Sequence, residues 1–147
     1  MPRDAEDAGV LLGALSVAVV DLGSIRAGRK FVRRTLGASG TAPSVVDDAT
    51  LIVSELLTNV ALHCARVAEP EATLRLVGRE AHLRIEVHDA SPLAVIQRAP
   101  GDDSEHGRGL LVVDALSECW GYESTADGKY VWCELAAWPE QTPSQRA

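Results

Sequence analysis

Glu55 and Asn59 stand four residues apart in the run Leu51-Ile52-Val53-Ser54-Glu55-Leu56-Leu57-Thr58-Asn59. Apolar residues around them recur at helical spacing (Leu51, Leu56, Leu57, Val60), which predicts a buried or half-buried amphipathic helix. Positions i and i+4 stack on one helix face, so the carboxylate and the carboxamide point the same way. The carboxylate can accept a proton or hold an ordered water. The amide oxygen one turn on can ligate a hard cation such as Mg²⁺. An isolated Glu-x-x-x-Asn would be no more than a polar edge on a core helix, but this pair has company downstream.

The run His82-Leu83-Arg84-Ile85-Glu86-Val87-His88 alternates strictly, with Leu83, Ile85 and Val87 on one face and polar groups on the other, as a half-buried strand does. It leads into Asp89-Ala90-Ser91-Pro92, where the chain must turn because Pro92 cannot continue a ladder. Gly107-Arg108-Gly109 stands directly ahead of the helical run Leu110-Leu111-Val112-Val113-Asp114-Ala115-Leu116. Glycines at a helix start let backbone N–H groups approach a ligand closely, and the positive end of the helix dipole favours an anion such as phosphate.

In order and spacing these segments resemble the GHKL (Bergerat) ATPases, the group of gyrase, Hsp90, histidine kinases and MutL. More closely, they resemble the stand-alone anti-sigma-factor serine kinases of bacteria, the SpoIIAB/RsbW type and its actinobacterial relatives. Glu55 to His63 is similar to that family's N box, Asp89-Ala-Ser-Pro to its first glycine box, and Gly107-Arg-Gly-Leu110 to its second. The ending Trp120-Gly121 … Gly128-Lys129-Tyr130-Val131-Trp132-Cys133-Glu134-Leu135 is similar to its last hairpin. Each motif is weak alone; four in order, over roughly residues 15–137, are specific.

The resemblance implies a site for Mg·ATP. Glu55 would accept or orient the proton of an attacking hydroxyl, Asn59 would hold Mg²⁺, and Asp89 would accept the exocyclic amine of adenine. Gly107, Arg108, Gly109 and Leu110 would cradle the phosphates, with Arg98 a second cation for the γ-phosphate. Either arginine could equally be plain surface charge, and Asp89 without the other boxes would be a turn-forming Asp. Two positions depart from the family pattern. Ser91 replaces a glycine beside the base, and Tyr130 replaces a threonine of the adenine-side water network, so both are expected at the purine pocket and weak ATP affinity is expected with them. Residues 93–106 would form the ATP lid. The implied partners are a sigma factor, a STAS-type anti-sigma antagonist and a second copy of the chain in a homodimer.

The elements that must position these residues follow from the pattern. Strands are expected at about 12–20, 72–78 and 81–89, helices at about 24–37, 43–66 and 107–118, and a closing hairpin turning at Asp127-Gly128. Helices grouped between strand pairs make an α+β domain, a mixed or antiparallel sheet covered on one face by helices. The 147 residues suffice for one domain, expected over 1–147 with its core at about 9–137 and frayed ends. Ser24 is the expected N-cap of the first helix, which carries Arg26, Arg29, Lys30, Arg33 and Arg34, either a solvated face or a dock for an acidic partner. His63 is expected to be a polar residue at a helix end.

A net charge of −7 argues against non-specific nucleic-acid binding. Cys64, Cys119 and Cys133 lack metal-ligand spacing and read as reduced packing residues. The apolar stretch from Gly9 to Val20 is too short to span a bilayer and follows Asp4, Glu6 and Asp7 rather than a basic lead, so a cytoplasmic protein with no membrane contact is expected. The leading function is an ATP-dependent serine/threonine kinase that regulates a sigma factor. Its rivals are a non-catalytic module of the same fold that sequesters a protein partner and, with no upstream phospho-accepting helix to support it, the catalytic half of a split histidine kinase.

Overall fold

Alternating side chains build a five-stranded antiparallel sheet in the order β1-β2-β3-β5-β4. The computed structural model describes residues 9–18, 21–63, 71–90 and 105–139, with the side chains of His63 and of residues 105–109 outside that description. Its elements are β1 (Val10–Val17), α1 (Leu22–Ala38), α2 (Pro43–His63), β2 (Ala72–Arg79), β3 (His82–Asp89), α3 (Glu105–Leu116), β4 (Cys119–Thr125) and β5 (Gly128–Ala136). The expected α+β architecture holds, and the sheet is antiparallel throughout rather than mixed.

Pairing of β3 with β5 sets Leu83, Ile85, Val87 and Asp89 opposite Leu135, Cys133, Val131 and Lys129. All eight share one face, because partners in a ladder point to the same side. Their apolar members, with Leu74 and Leu76 of β2, merge with Val32 and Leu36 of α1 and with Ile52, Val53, Leu56 and Leu57 of α2 into one core. The helices therefore cover a single face. Helix α2 packs against α1, α3 and β3, so it is buried over most of its girth. Leu51, expected inside, is 46% exposed instead, and Ile52 and Val53 take the core positions.

Helix α1 starts earlier than expected, and Ser24 is not its N-cap. Asp21 is, accepting the Ser24 N–H at 2.8 Å, while the Ser24 hydroxyl accepts the Asp21 N–H at 2.7 Å. This reciprocal capping box satisfies two N–H groups that the helix leaves without internal partners. The buried stripe of α1 is Ile25, Gly28, Val32 and Leu36. A Cβ on Gly28 would lie 2.6 Å from Leu57 Cδ1 of α2, so glycine there sets how closely the two helices approach. Gly28→Val should lower the unfolding free energy by about 1–3 kcal/mol through overpacking, read as a reduced denaturant midpoint. An unchanged midpoint would mean that the α1–α2 contact relaxes freely.

Two further expectations change in detail. The last hairpin turns at Ala126-Asp127, with Gly128 already the first residue of β5. Cys133 is buried, and burial pushes its thiol up to about 12, whereas Cys119 is exposed on β4 and does not pack inside. Cys64 lies outside the described residues, as do the ends of the chain and residues 93–104 of the lid expected at 93–106, whose last two residues instead begin α3. None of the described helices is long and apolar enough to cross a membrane.

Candidate functional site

Between α2, α3 and the Asp89 end of the sheet lies a cavity of about 20 Å³, lined by Leu56, Asn59, Val60, Val87, Asp89, Leu110, Lys129 and Val131. Three of the four sequence motifs thus supply its wall through Asn59, Asp89 and Leu110, and the fourth supplies Lys129. Asn59 is only 8% exposed, and its side chain makes no hydrogen bond among the described residues. A buried carboxamide without a partner costs free energy, so this group suits an external ligand such as a cation or an ordered water. Glu55, half-buried one turn earlier on α2, is outside the cavity wall.

Asp89 and Lys129 are the polar floor. The Lys129 ammonium donates to both Asp89 carboxylate oxygens at 2.7 Å, and each side chain is 2% exposed. Gly128 makes this possible, because a Cβ there would sit 2.0 Å from the Asp89 carbonyl oxygen. Without a side chain, β5 begins hard against the end of β3 and Lys129 falls opposite Asp89.

Lys129 was not among the residues singled out from sequence, although its signal was present. Counting back by twos from Leu135 through Cys133 and Val131 puts Lys129 on the apolar face of its strand. A lysine there requires a partner. Tyr130 is the reverse case. It was expected at the pocket edge, but it points from the opposite face of the sheet, stacks on His88 with ring centroids 4.6 Å apart, and donates its hydroxyl to Glu123. The family threonine position therefore does not bring Tyr130 to the cavity, because adjacent residues of a strand face opposite ways.

The glycine segment also sits differently from expectation. Gly107, Arg108 and Gly109 lie inside the first turns of α3, which starts at Glu105 rather than at residue 107. The N–H groups of Gly107 and Arg108 are still among the first four of the helix, which have no intrahelical acceptor. Only Leu110 of this motif has a described side chain, and it lines the cavity. Ser91 and Arg98 lie outside the described residues. Of the basic α1 residues, two are engaged by α2: Arg29 donates to the Ser54 hydroxyl at 2.8 Å, and Arg33 pairs with Asp47 at 3.1 Å.

On the open face of the sheet a second polar cluster has formed. Arg84, with its side chain 8% exposed, pairs with Glu86 at 2.9 Å and Glu134 at 3.3 Å and lies 4.4 Å over the Trp132 ring. His88 also meets Glu86 at 2.9 Å, and Arg79 meets Glu134 at 3.2 Å.

Residues 18–134 match the profile of the histidine kinase-like ATPase domain. The uncharacterized protein SCO4941 of Streptomyces coelicolor is 36% identical over 90 residues, 59% of this chain and 84% of that protein. Among solved structures, a chain of the SiaB–SiaC complex from Pseudomonas aeruginosa superposes with a TM-score of 0.65 at 16% identity, over 86% of this chain and 89% of that one. The RsbU and RsbW domains of Rv1364c from Mycobacterium tuberculosis give a TM-score of 0.65 at 16% identity, over 88% of this chain but 34% of that longer one. At such identities the likeness establishes the fold.

Proposed function

The chain belongs to the histidine kinase-like ATPase domain family, and on that footing we propose that it is an ATP-dependent protein serine/threonine kinase of the anti-sigma-factor type. It would bind a sigma factor and phosphorylate a serine of a STAS-type antagonist, as a cytoplasmic protein and a homodimer. The observation that carries this reading is that Asn59, Asp89 and Leu110, from three separated motifs, wall one cavity. The solved likenesses come from a two-protein complex and from joined RsbU and RsbW domains, which is in keeping with a protein substrate.

The residues fit Mg·ATP by their chemistry. The buried Asn59 carboxamide supplies a neutral oxygen, and Mg²⁺ commonly takes one or two protein ligands and completes its shell with phosphate and water oxygens. Bound ATP would supply the phosphoryl group. Glu55 would take the proton of the substrate hydroxyl from its place one turn before Asn59. The first N–H groups of α3 and Arg108 would hold negative charge. Asp89 would accept from adenine, which selects it over guanine, whose carbonyl at that position offers no donor. Positioning and charge neutralisation of this kind are most of what phosphoryl transfer requires.

Incubating the protein with γ-labelled ATP, Mg²⁺ and STAS-domain proteins of its own organism should label one serine, with unlabelled GTP a poor competitor. An antagonist held tightly yet unlabelled at millimolar ATP would favour the second reading, a non-catalytic module that sequesters a partner. The Lys129–Asp89 pair is the specific observation on that side, since the ammonium takes the carboxylate that would recognise adenine.

A further inference from the structure

The cavity has room for about one water, far less than a purine needs. Against Asp89 in this cavity lies the Lys129 side chain, whose ammonium donates to both carboxylate oxygens. An adenine amine would seek those same oxygens. We infer that Lys129 is a built-in competitor for the base subsite and sets the nucleotide affinity of this protein. The inference rests on the nucleotide reading above and adds to it the residue that tunes it.

The physical argument has three steps. The ion pair is dry, with both side chains 2% exposed, so its attraction is weakly screened. A neutral amine that displaces the ammonium keeps the hydrogen bond to Asp89 but loses the charge–charge attraction. The base can enter only in the fraction of molecules whose lysine has swung out. Apparent affinity falls by that fraction, as for any ligand that binds a minor conformation. The backbone holds the lysine in place: Gly128 brings β5 against the Asp89 carbonyl, and the Asp89–Lys129 register follows. Lys129 lines the cavity together with Leu56, Val87 and Val131, and with its side chain 2% exposed it is enclosed along its length.

The test is calorimetric titration of the full chain with Mg·ATP and Mg·GTP, for the wild type, Lys129→Ala and Lys129→Met. Lys129→Met keeps an aliphatic stem for packing but cannot donate, which guards against a variant that fails to fold; circular dichroism melting checks each protein. The Kd for ATP should fall by about tenfold or more in Lys129→Ala and by less in Lys129→Met, where the stem still fills space. The preference for ATP over GTP should widen in both, since the ammonium no longer competes with the base for the Asp89 carboxylate. If the wild type binds ATP and neither variant binds it more tightly, Lys129 is not a competitor and this inference falls while the nucleotide reading stands. If no form binds ATP at millimolar concentration, the nucleotide reading itself falls.

Discussion

Replacing Glu55 with Gln is expected to slow phosphoryl transfer at least about a hundredfold, the range seen when a general base is lost, while leaving the Kd for Mg·ATP within about twofold. Gln preserves the size and helix propensity of Glu, and Glu55 lies outside the cavity wall, so the exchange is expected to leave both the fold and nucleotide binding in place. Asn59→Ala gives the opposite pattern. It removes a carboxamide from the cavity wall itself, so ATP binding should weaken, and should weaken most when Mg²⁺ is present. Titrations with and without Mg²⁺, alongside the γ-label assay, separate the two roles. Transfer by Glu55→Gln at the wild-type rate would remove Glu55 from the chemistry and leave it a polar edge of α2.

The second large effect lies on the other face of the sheet and concerns stability. Arg84→Ala should cost about 1.5–3 kcal/mol, because it removes charge-assisted hydrogen bonds to Glu86 and Glu134 from an almost fully buried position, while His88 and Arg79 still hold the two carboxylates. The loss also removes the guanidinium stacked over Trp132. This cluster should make the fold acid-sensitive. The hydrogen bond with His88 does most to lower the Glu86 carboxyl from 4.5 to about 2; burial opposes it, and Arg84 and then Arg75 add to the lowering. A carboxyl depressed in the folded state contributes stability above its ordinary value, and that contribution is lost as pH falls through its folded value. Unfolding by denaturant should therefore show stability dropping as pH falls from about 4.5 to about 2, as this carboxyl takes up its proton. Glu86→Gln should be less stable at pH 7 and should flatten that slope. A wild-type slope that persists unchanged in Glu86→Gln would assign the acid sensitivity to other carboxylates.

The chain of half-buried His88 and Tyr130 and exposed Glu123 next to this cluster shows how close two roles can lie in sequence. His88 and Asp89 are neighbours on β3, as are Tyr130 and Lys129 on β5. One member of each pair builds the open face and the other lines the cavity.

Local pattern was enough to determine most of the architecture. Periodicity of two placed Leu83, Ile85 and Val87 on a core face, and helical spacing put Glu55 and Asn59 one turn apart on a buried helix. Motif order then named the family, because the spacing between boxes reflects the elements that must intervene. Where an element starts was less legible. Helix α1 begins at an Asp21 cap three residues before Ser24, and α3 absorbs Gly107 and Gly109 into its first turns; caps are short side-chain contacts that several nearby polar residues can make. Which partner a buried polar group finds was not legible at all. Asp89 and Lys129 are forty residues apart and meet only because β5 inserts between β3 and β4 in the register that Gly128 permits. Arg84, read as one polar position on a solvated strand face, is likewise buried by Glu86, Glu134 and Trp132, two of which arrive from β5. A charge that must be neutralised inside the fold is visible in the sequence; the residue that neutralises it is decided by strand order and register, which local sequence does not encode.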